Sequence, residues 1–153
     1  MDLILWRHAE AEDPREGMDD LQRVLTAKGE KQAVRVGAWL DRVLPQGTRV
    51  LCSPARRCEQ TVQALGRKYS VRDVLAPGAT AAEVLAAAQW PQVRHPVLVV
   101  GHQPTLGQAV AHLLAITGGE CAVRKGSAWW LRARVREAGL ECVVVAVLAP
   151  DAL

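Results

Sequence analysis

A chain of 153 residues with a net charge of +3 is sized for one domain covering residues 1–153, and its length lets it bury roughly 68–70% of its unfolded surface without staples. Apolar residues make up 50% of it, yet no run approaches the ~20 that a membrane span needs. The mild charge, with no basic block interleaved with aromatics, argues against nucleic acid as a partner.

Met1-Asp2 runs straight into Leu3-Ile4-Leu5-Trp6, with no basic or apolar leader, which predicts a cytoplasmic protein. The run reads as a buried strand, and it delivers Arg7 and His8 to the following loop. Residues 9–20 are acidic and broken by Pro14 and Gly17, so they form a surface loop. Thr26 is placed to cap a helix over 27–44, with Ala33, Val36, Gly37, Leu40 and Leu44 on one face. Arg49 to Cys52 is a second strand. Ser53 as N-cap and Pro54 at the first helical position predict a helix from there to about Tyr69, with Arg56, Arg57 and Gln60 in its first two turns.

A third strand is expected over Val71–Leu75, and Pro77-Gly78 turns the chain. Thr80 and Glu83 have the spacing of a capping box, opening a helix to about Trp90. Val97-Leu98-Val99-Val100 has the pattern of a central parallel strand and delivers His102. Pro104 and Thr105 start another helix, carrying Leu106, Val110, Leu113 and Leu114 at helical spacing, and Thr117-Gly118-Gly119 stops it. Ala128–Arg134 alternates as a half-exposed strand, Glu137-Ala138-Gly139 turns, and Cys142–Leu148 returns as a buried strand. The alternation of strands and helices predicts a three-layer α/β/α sandwich around a mostly parallel sheet.

Parallel strands share one carboxyl edge, where such sheets bind ligands. Arg7, His8, His102 and Arg57 can therefore converge on one anion. Two guanidinium forks suit a phosphoryl group, and a helix N-terminus favours anions. An imidazole can attack phosphorus, form a phosphohistidine and release it to water, while the other groups neutralise the phosphoryl oxygens. No carboxylate cluster for a metal is evident, so no cofactor and no metal are expected. Cys52, Cys58, Cys121 and Cys142 form no CxxC pair and read as reduced thiols. His95 and His112 read as surface or packing residues, and Trp129 and Trp130 as packing on the sheet.

Five segments, in order, carry a resemblance. Arg7-His8-Ala9-Glu10 resembles the Arg-His-Gly signature of the histidine phosphatase superfamily, which contains the phosphoglycerate mutases. Ala9 stands where glycine is usual, as in the small SixA-type phosphohistidine phosphatases. Ser53-Pro54-Ala55-Arg56-Arg57-Cys58-Glu59-Gln60-Thr61 is similar to that branch's Ser-Pro-x-x-Arg-x-x-Gln-Thr motif, and this register makes Arg57 rather than Arg56 the phosphate arginine. Gly101-His102-Gln103-Pro104 resembles its second-histidine motif, Arg23-Val24-Leu25-Thr26 with Gly29 its Arg-x-Leu-Thr-x-x-Gly segment, and Pro77-Gly78 its middle turn.

The resemblance implies a phosphoglycerate mutase-like fold and a metal-independent phosphatase acting through a covalent intermediate on His8. Arg7, Arg57 and His102 would bind the phosphoryl group. Arg23 would join them or merely pair with Asp19 or Asp20. The helical lid and glutamate-bearing segment of larger relatives find no counterpart between Arg57 and His102, so the pocket should be open and shallow. That suits a phosphorylated protein, such as a histidine phosphotransfer or carrier domain, with inorganic phosphate as product and neither nucleic acid nor membrane as partner. Two rivals remain: a hydrolase of small phosphomonoesters, and a non-catalytic phosphate-binding module. Glu10, Glu12, Asp13, Asp19, Asp20 and Glu83 are all conceivable proton donors to a leaving group.

Overall fold

The computed structural model describes residues 1–153. Leu3 to Trp6, fully buried, form the heart of strand β1 (Asp2–Arg7). β1 lies between β4 (Val97–Gly101), which runs parallel to it, and β5 (Ala128–Arg136), which runs antiparallel. β2 (Arg49–Cys52) pairs in parallel with β4 and with the short β3 (Ser70–Val71), and β6 (Gly139–Leu148) completes the far side. The order across the single six-stranded sheet is β3-β2-β4-β1-β5-β6. Four strands are thus parallel, and the C-terminal hairpin supplies the antiparallel pair.

Period-2 alternation sends neighbouring side chains of β1 and β4 to opposite faces. Ile4, Trp6, Leu98 and Val100 pack with Val36 and Leu40 of α1 (Ala27–Val43) and with Cys58 and Val62 of α2 (Arg56–Gln63). Leu3, Leu5, Val97 and Val99 pack with Val84 of α3 (Ala81–Ala87) and with Leu106, Ala109 and Val110 of α4 (Thr105–Leu114). Helices therefore cover both faces, which is the three-layer α/β/α architecture. No helix is long and apolar enough to cross a membrane. All four cysteines are free, with Cys52 and Cys58 buried. Trp130 packs in the core edge-on to Trp39, with centroids 6.4 Å apart, and donates to Asp2 Oδ2 at 2.9 Å.

The expected caps form: Thr26 Oγ1 accepts from Gly29 N at 2.9 Å, and Thr80 and Glu83 close a capping box. Four expectations need correction. The second helix is shorter at both ends than 53–69: it begins at Arg56, because the Ser53 hydroxyl accepts from Ala55 N and faces His102, and it tightens after Gln63 into i→i+3 bonds ending at Gly66, whose φ is +75°. The third strand is confined to Ser70–Val71, since Asp73–Leu75 winds into a 3-10 turn that buries Leu75. The third helix stops at Ala87 rather than Trp90, with Gln89 at φ +57°. The last strand is a mostly exposed edge, with no strand beyond it; Val144, Val145 and Val147 are exposed. An unbroken apolar run reads as buried, but its place at the sheet edge overrides that pattern.

Candidate functional site

The carboxyl ends of β1, β2 and β4 converge, and their loops enclose a cavity of about 210 Å³. Arg7, His8, Arg23, Arg57 and His102, drawn from four places in the sequence, all line it. His8 is held from three sides: its N–H donates to Gly101 O at 3.1 Å, its carbonyl accepts from Gly126 N at 3.0 Å, and Arg7 N donates to Ser127 O at 3.0 Å. Segment 121–127 is thereby a platform beneath the site. It also receives Arg7 Nη1 at Val123 O (3.0 Å) and Gln103 Nε2 at Cys121 O (2.7 Å).

His8 Nδ1 lies 2.7 Å from the carbonyl oxygen of Ala9. A carbonyl only accepts, so Nδ1 carries the proton and the Nε2 lone pair is free. Burial pushes the imidazole down to about 4, against a smaller lift from the Ala9 bond, and Arg57 and Arg7 lower it further. His102 stands beside it, with ring centroids 5.3 Å apart and planes 57° apart. Burial lowers His102 to about 3, with His8 and Arg57 adding to the effect. Both imidazoles are therefore neutral at pH 7.

Arg57 is 3% exposed, whereas its neighbour Arg56 is exposed. Arg57 Nη1 donates to Asp20 O at 2.8 Å and Nη2 to Asp20 Oδ2 at 3.0 Å. Asp20 also accepts from Arg23 Nε at 2.8 Å, so one carboxylate ties both arginines to the pocket wall, and Arg23 Nη1 reaches Glu12 O at 2.9 Å. Burial alone would raise the Asp20 carboxyl, but the bonds from Arg23 and Arg57 hold it below its ordinary value. The buried Nε–H groups of Arg7 and Arg57 meet no acceptor in the protein. A buried donor left unpaired costs about 1–3 kcal/mol. No group of three or more His, Cys, Asp and Glu side chains is gathered as a metal would need.

The conceivable proton donors separate sharply. Glu10 Oε2 accepts from Thr26 Oγ1 at 2.8 Å, Glu12 pairs with Arg15 at 3.0 Å, Asp19 caps the 3-10 turn at Leu21 N, and Glu83 sits in the capping box at Thr80. Asp20 is bound by two arginines. Asp13 alone of the six lines the cavity. Lys125, on the platform, lines it too and went unnoticed in the sequence. It lies in a loop with no pattern of its own, so only the bonds that fold 121–127 under Arg7 bring it there.

The motif residues between the charged groups act on the backbone. Gln60 Oε1 accepts from Leu25 N at 2.8 Å. Thr61 Oγ1 accepts from Ala9 N at 3.1 Å and donates to Arg57 O at 2.7 Å. Ala9 is fully buried and packs against Leu25 and Ala33, which explains a methyl group at that position. Gly29 lies against the Glu10 backbone, where a Cβ would overlap the carbonyl oxygen.

The profile of the histidine phosphatase superfamily, branch 1, matches residues 3–78. An uncharacterised protein of Mycobacterium tuberculosis is 34% identical over 122 residues, 76% of this chain and 75% of that protein. An uncharacterised Picosynechococcus protein is 33% identical over 140 residues, 86% of this chain and 85% of its own length. Among solved structures, a candidate phosphohistidine phosphatase SixA from Nakamurella multipartitia is 29% identical and superposes with a TM-score of 0.77, covering 97% of this chain and 95% of that one. The protein histidine phosphatase SixA complexed with tungstate shares the fold at 24% identity, with a TM-score of 0.80 and 99% of both chains covered.

Proposed function

Since the chain belongs to the histidine phosphatase superfamily, we propose that it is a SixA-type phosphohistidine phosphatase whose nucleophile is His8. The observation that carries this reading is the convergence of Arg7, His8, Arg57 and His102 on one cavity, with Nδ1 of His8 engaged by the Ala9 carbonyl and its Nε2 lone pair free. Such a site binds a phosphoryl group and attacks it in line. The Nε2 lone pair forms a bond to phosphorus while the bond from phosphorus to the substrate's imidazole breaks. That imidazole, protonated on its other nitrogen, departs neutral. Water then attacks phosphorus, the bond to His8 breaks, the electron pair returns to Nε2, and inorganic phosphate leaves with the water's proton passed to solvent. Arg7, Arg57 and His102 face the charge that develops on the oxygens, and Arg23 contributes through the same wall.

The size of the cavity favours a substrate that stays outside it. Sites for whole small molecules run to about 300–1,000 Å³, and this one, at about 210 Å³, admits a phosphoryl group and little else. A phosphohistidine on a protein surface, as on a histidine phosphotransfer or carrier domain, meets that limit. The reaction needs no metal, and a chelator should leave its rate unchanged. Asp13 supplies the one argument for the rival phosphomonoesterase, because an alkoxide leaving group needs an acid.

The deciding experiment sets a histidine-phosphorylated phosphotransfer domain, para-nitrophenyl phosphate and a sugar phosphate side by side. We expect turnover of the first two and barely any of the third. His8→Ala should abolish turnover while vanadate binding survives in part, because Arg7 and Arg57 remain. Normal turnover in that variant sinks the covalent mechanism, and phosphoryl binding without any labelling of His8 would leave only a phosphate-reading module.

A further inference from the structure

Residues 123–127 make a tight turn beside the nucleophile. Ser127 N donates to Arg124 O at 3.0 Å, which closes a four-residue turn with Lys125 and Gly126 at its corners. Gly126 has φ +74° and Lys125 is not left-handed, so the turn is type II, which wants glycine at its second corner. The end of β1 fastens it. Trp6 Nε1 donates to Gly126 O at 3.0 Å, Gly126 N donates to His8 O at 3.0 Å, and Arg7 N donates to Ser127 O at 3.0 Å. Arg7 Nη1 holds Val123 O as well. Lys125 therefore stands on a backbone fixed to the nucleophile's own strand, one position from the bond to the His8 carbonyl.

Its side chain is left free. The neighbouring Arg124 turns to Asp151, with Nη2 3.1 Å from Oδ2. Lys125 is exposed and lines the cavity, and it makes no hydrogen bond or ion pair within the protein. The three arginines of the cavity are all engaged, Arg7 at Val123 O and both Arg23 and Arg57 at Asp20. Asp20 offsets one of their charges, and the carboxylate of Asp13, also on the wall, offsets another. Without Lys125 the walls thus carry a single net positive charge, against about −1.5 to −2 on a phosphoryl group at pH 7. With Lys125 the two charges match. Lysine is a compact charge with three donors on a flexible stem. It can follow a group whose charge spreads over three oxygens in the transition state. A cavity of about 210 Å³ admits a phosphoryl group and little else, so a cation on its wall meets that group rather than the rest of the substrate.

We propose that Lys125 is a further phosphoryl-binding residue: the turn holds its stem at the rim, and its ammonium pairs with the phosphoryl oxygens once the group is seated. The arginines are fixed in advance by protein acceptors, whereas Lys125 supplies the one uncommitted positive charge. This role rests on the phosphatase reading above for its part in turnover, but not for its part in anion binding.

The test compares the wild type with Lys125→Met, which keeps the apolar stem, and Lys125→Arg, which keeps the charge. Each full-length protein is titrated with vanadate and assayed on para-nitrophenyl phosphate and on the histidine-phosphorylated phosphotransfer domain. Lys125→Met should weaken vanadate binding about tenfold and lower kcat/KM about 10- to 100-fold on both substrates, as loss of a hydrogen bond to a charged group does. Lys125→Arg should keep most of both. Wild-type vanadate affinity in a folded Lys125→Met protein overturns the proposal. So does a loss confined to the phosphotransfer domain, which would place the ammonium against the carrier protein instead. So does a Lys125→Arg protein as impaired as Lys125→Met, because the charge would then not be what acts. A wild type that hydrolyses neither substrate, yet binds vanadate through Lys125, would sink the phosphatase reading and leave this role standing. An active wild type unaffected by Lys125→Met would do the reverse.

Discussion

Arg56 and Arg57 are adjacent, yet one is exposed and the other 3% exposed at the cavity. On a helix, successive residues point about 100° apart, so only one can serve the site. Arg57→Ala should lower kcat and kcat/KM together by about 10²–10³-fold, as loss of an oxyanion donor does, and Arg56→Ala should change either by less than threefold. The reverse ranking in steady-state kinetics would move the site to the other side of α2. The carboxylates are argued in the same way. Five of the six conceivable donors are engaged in caps, ion pairs or, for Glu10, a hydrogen bond from the Thr26 hydroxyl, so replacing Asp13 by Asn is the informative change. On phosphohistidine it should cost less than about tenfold, below the 10²–10⁴ typical of a general acid, because the leaving imidazole is protonated beforehand. A thousandfold loss in a folded, phosphate-binding Asp13→Asn protein would establish Asp13 as the acid.

Elements meet around the site through backbone contacts. The first turn of α1 presses on the loop that follows His8: Gly29 meets the Glu10 backbone, Thr26 N donates to Glu10 O at 3.0 Å, and Thr26 Oγ1 binds the Glu10 carboxylate. Glycine to alanine within a helix ordinarily gains about 1 kcal/mol. Here the added Cβ overlaps a carbonyl oxygen, and relief requires the helix and loop to part. Gly29→Ala should therefore destabilise the protein by about 1–3 kcal/mol and lower kcat, read by denaturant unfolding and by assay. A stabilised Gly29→Ala protein would show that the loop yields freely. The α2 segment is tied to the same loops by Gln60 at Leu25 and Thr61 at Ala9, so two neighbouring residues of one helix locate two separate stretches of chain.

Across the whole molecule, the two buried histidines couple folding to pH. Their folded values of about 4 and about 3 lie below the ordinary 6.5. Between pH 6.5 and 4 the unfolded chain therefore binds more protons than the folded one, and stability rises with pH across that window. The contribution is present above 6.5 and is lost as pH falls from there toward 4. Below about 4 the lowered carboxylates, Asp2 and Asp20 among them, add a further loss. Thermal unfolding from pH 7.5 to 5 should show a falling Tm, and His8→Ala should flatten the slope. Vanadate should raise Tm at every pH, since it binds the folded state alone. A flat profile in the wild type would mean that the imidazoles are hydrated.

The elements that carry the pocket were legible because their signals are local. An apolar run followed by Arg7-His8, or by Gly101-His102, marks a strand end whatever the rest of the chain does, and Thr26 and Thr80 cap helices through residues three positions away. The order of such elements, with parallel strands sharing an edge, was enough to bring Arg7, His8, Arg57 and His102 toward one place, whereas Arg23 was expected there only from the resemblance of its segment. Partners far apart in the chain were not legible. Ser53 meets His102 across 49 positions and Ala9 meets Thr61 across 52, and no local pattern encodes either pairing. Which carboxylate faces the cavity, that Lys125 reaches it, and that the valines of β6 end as an open edge were likewise decided by packing. Propensity is a property of a few neighbouring residues, whereas burial and hydrogen bonding belong to whichever surfaces the assembled sheet and helices bring together.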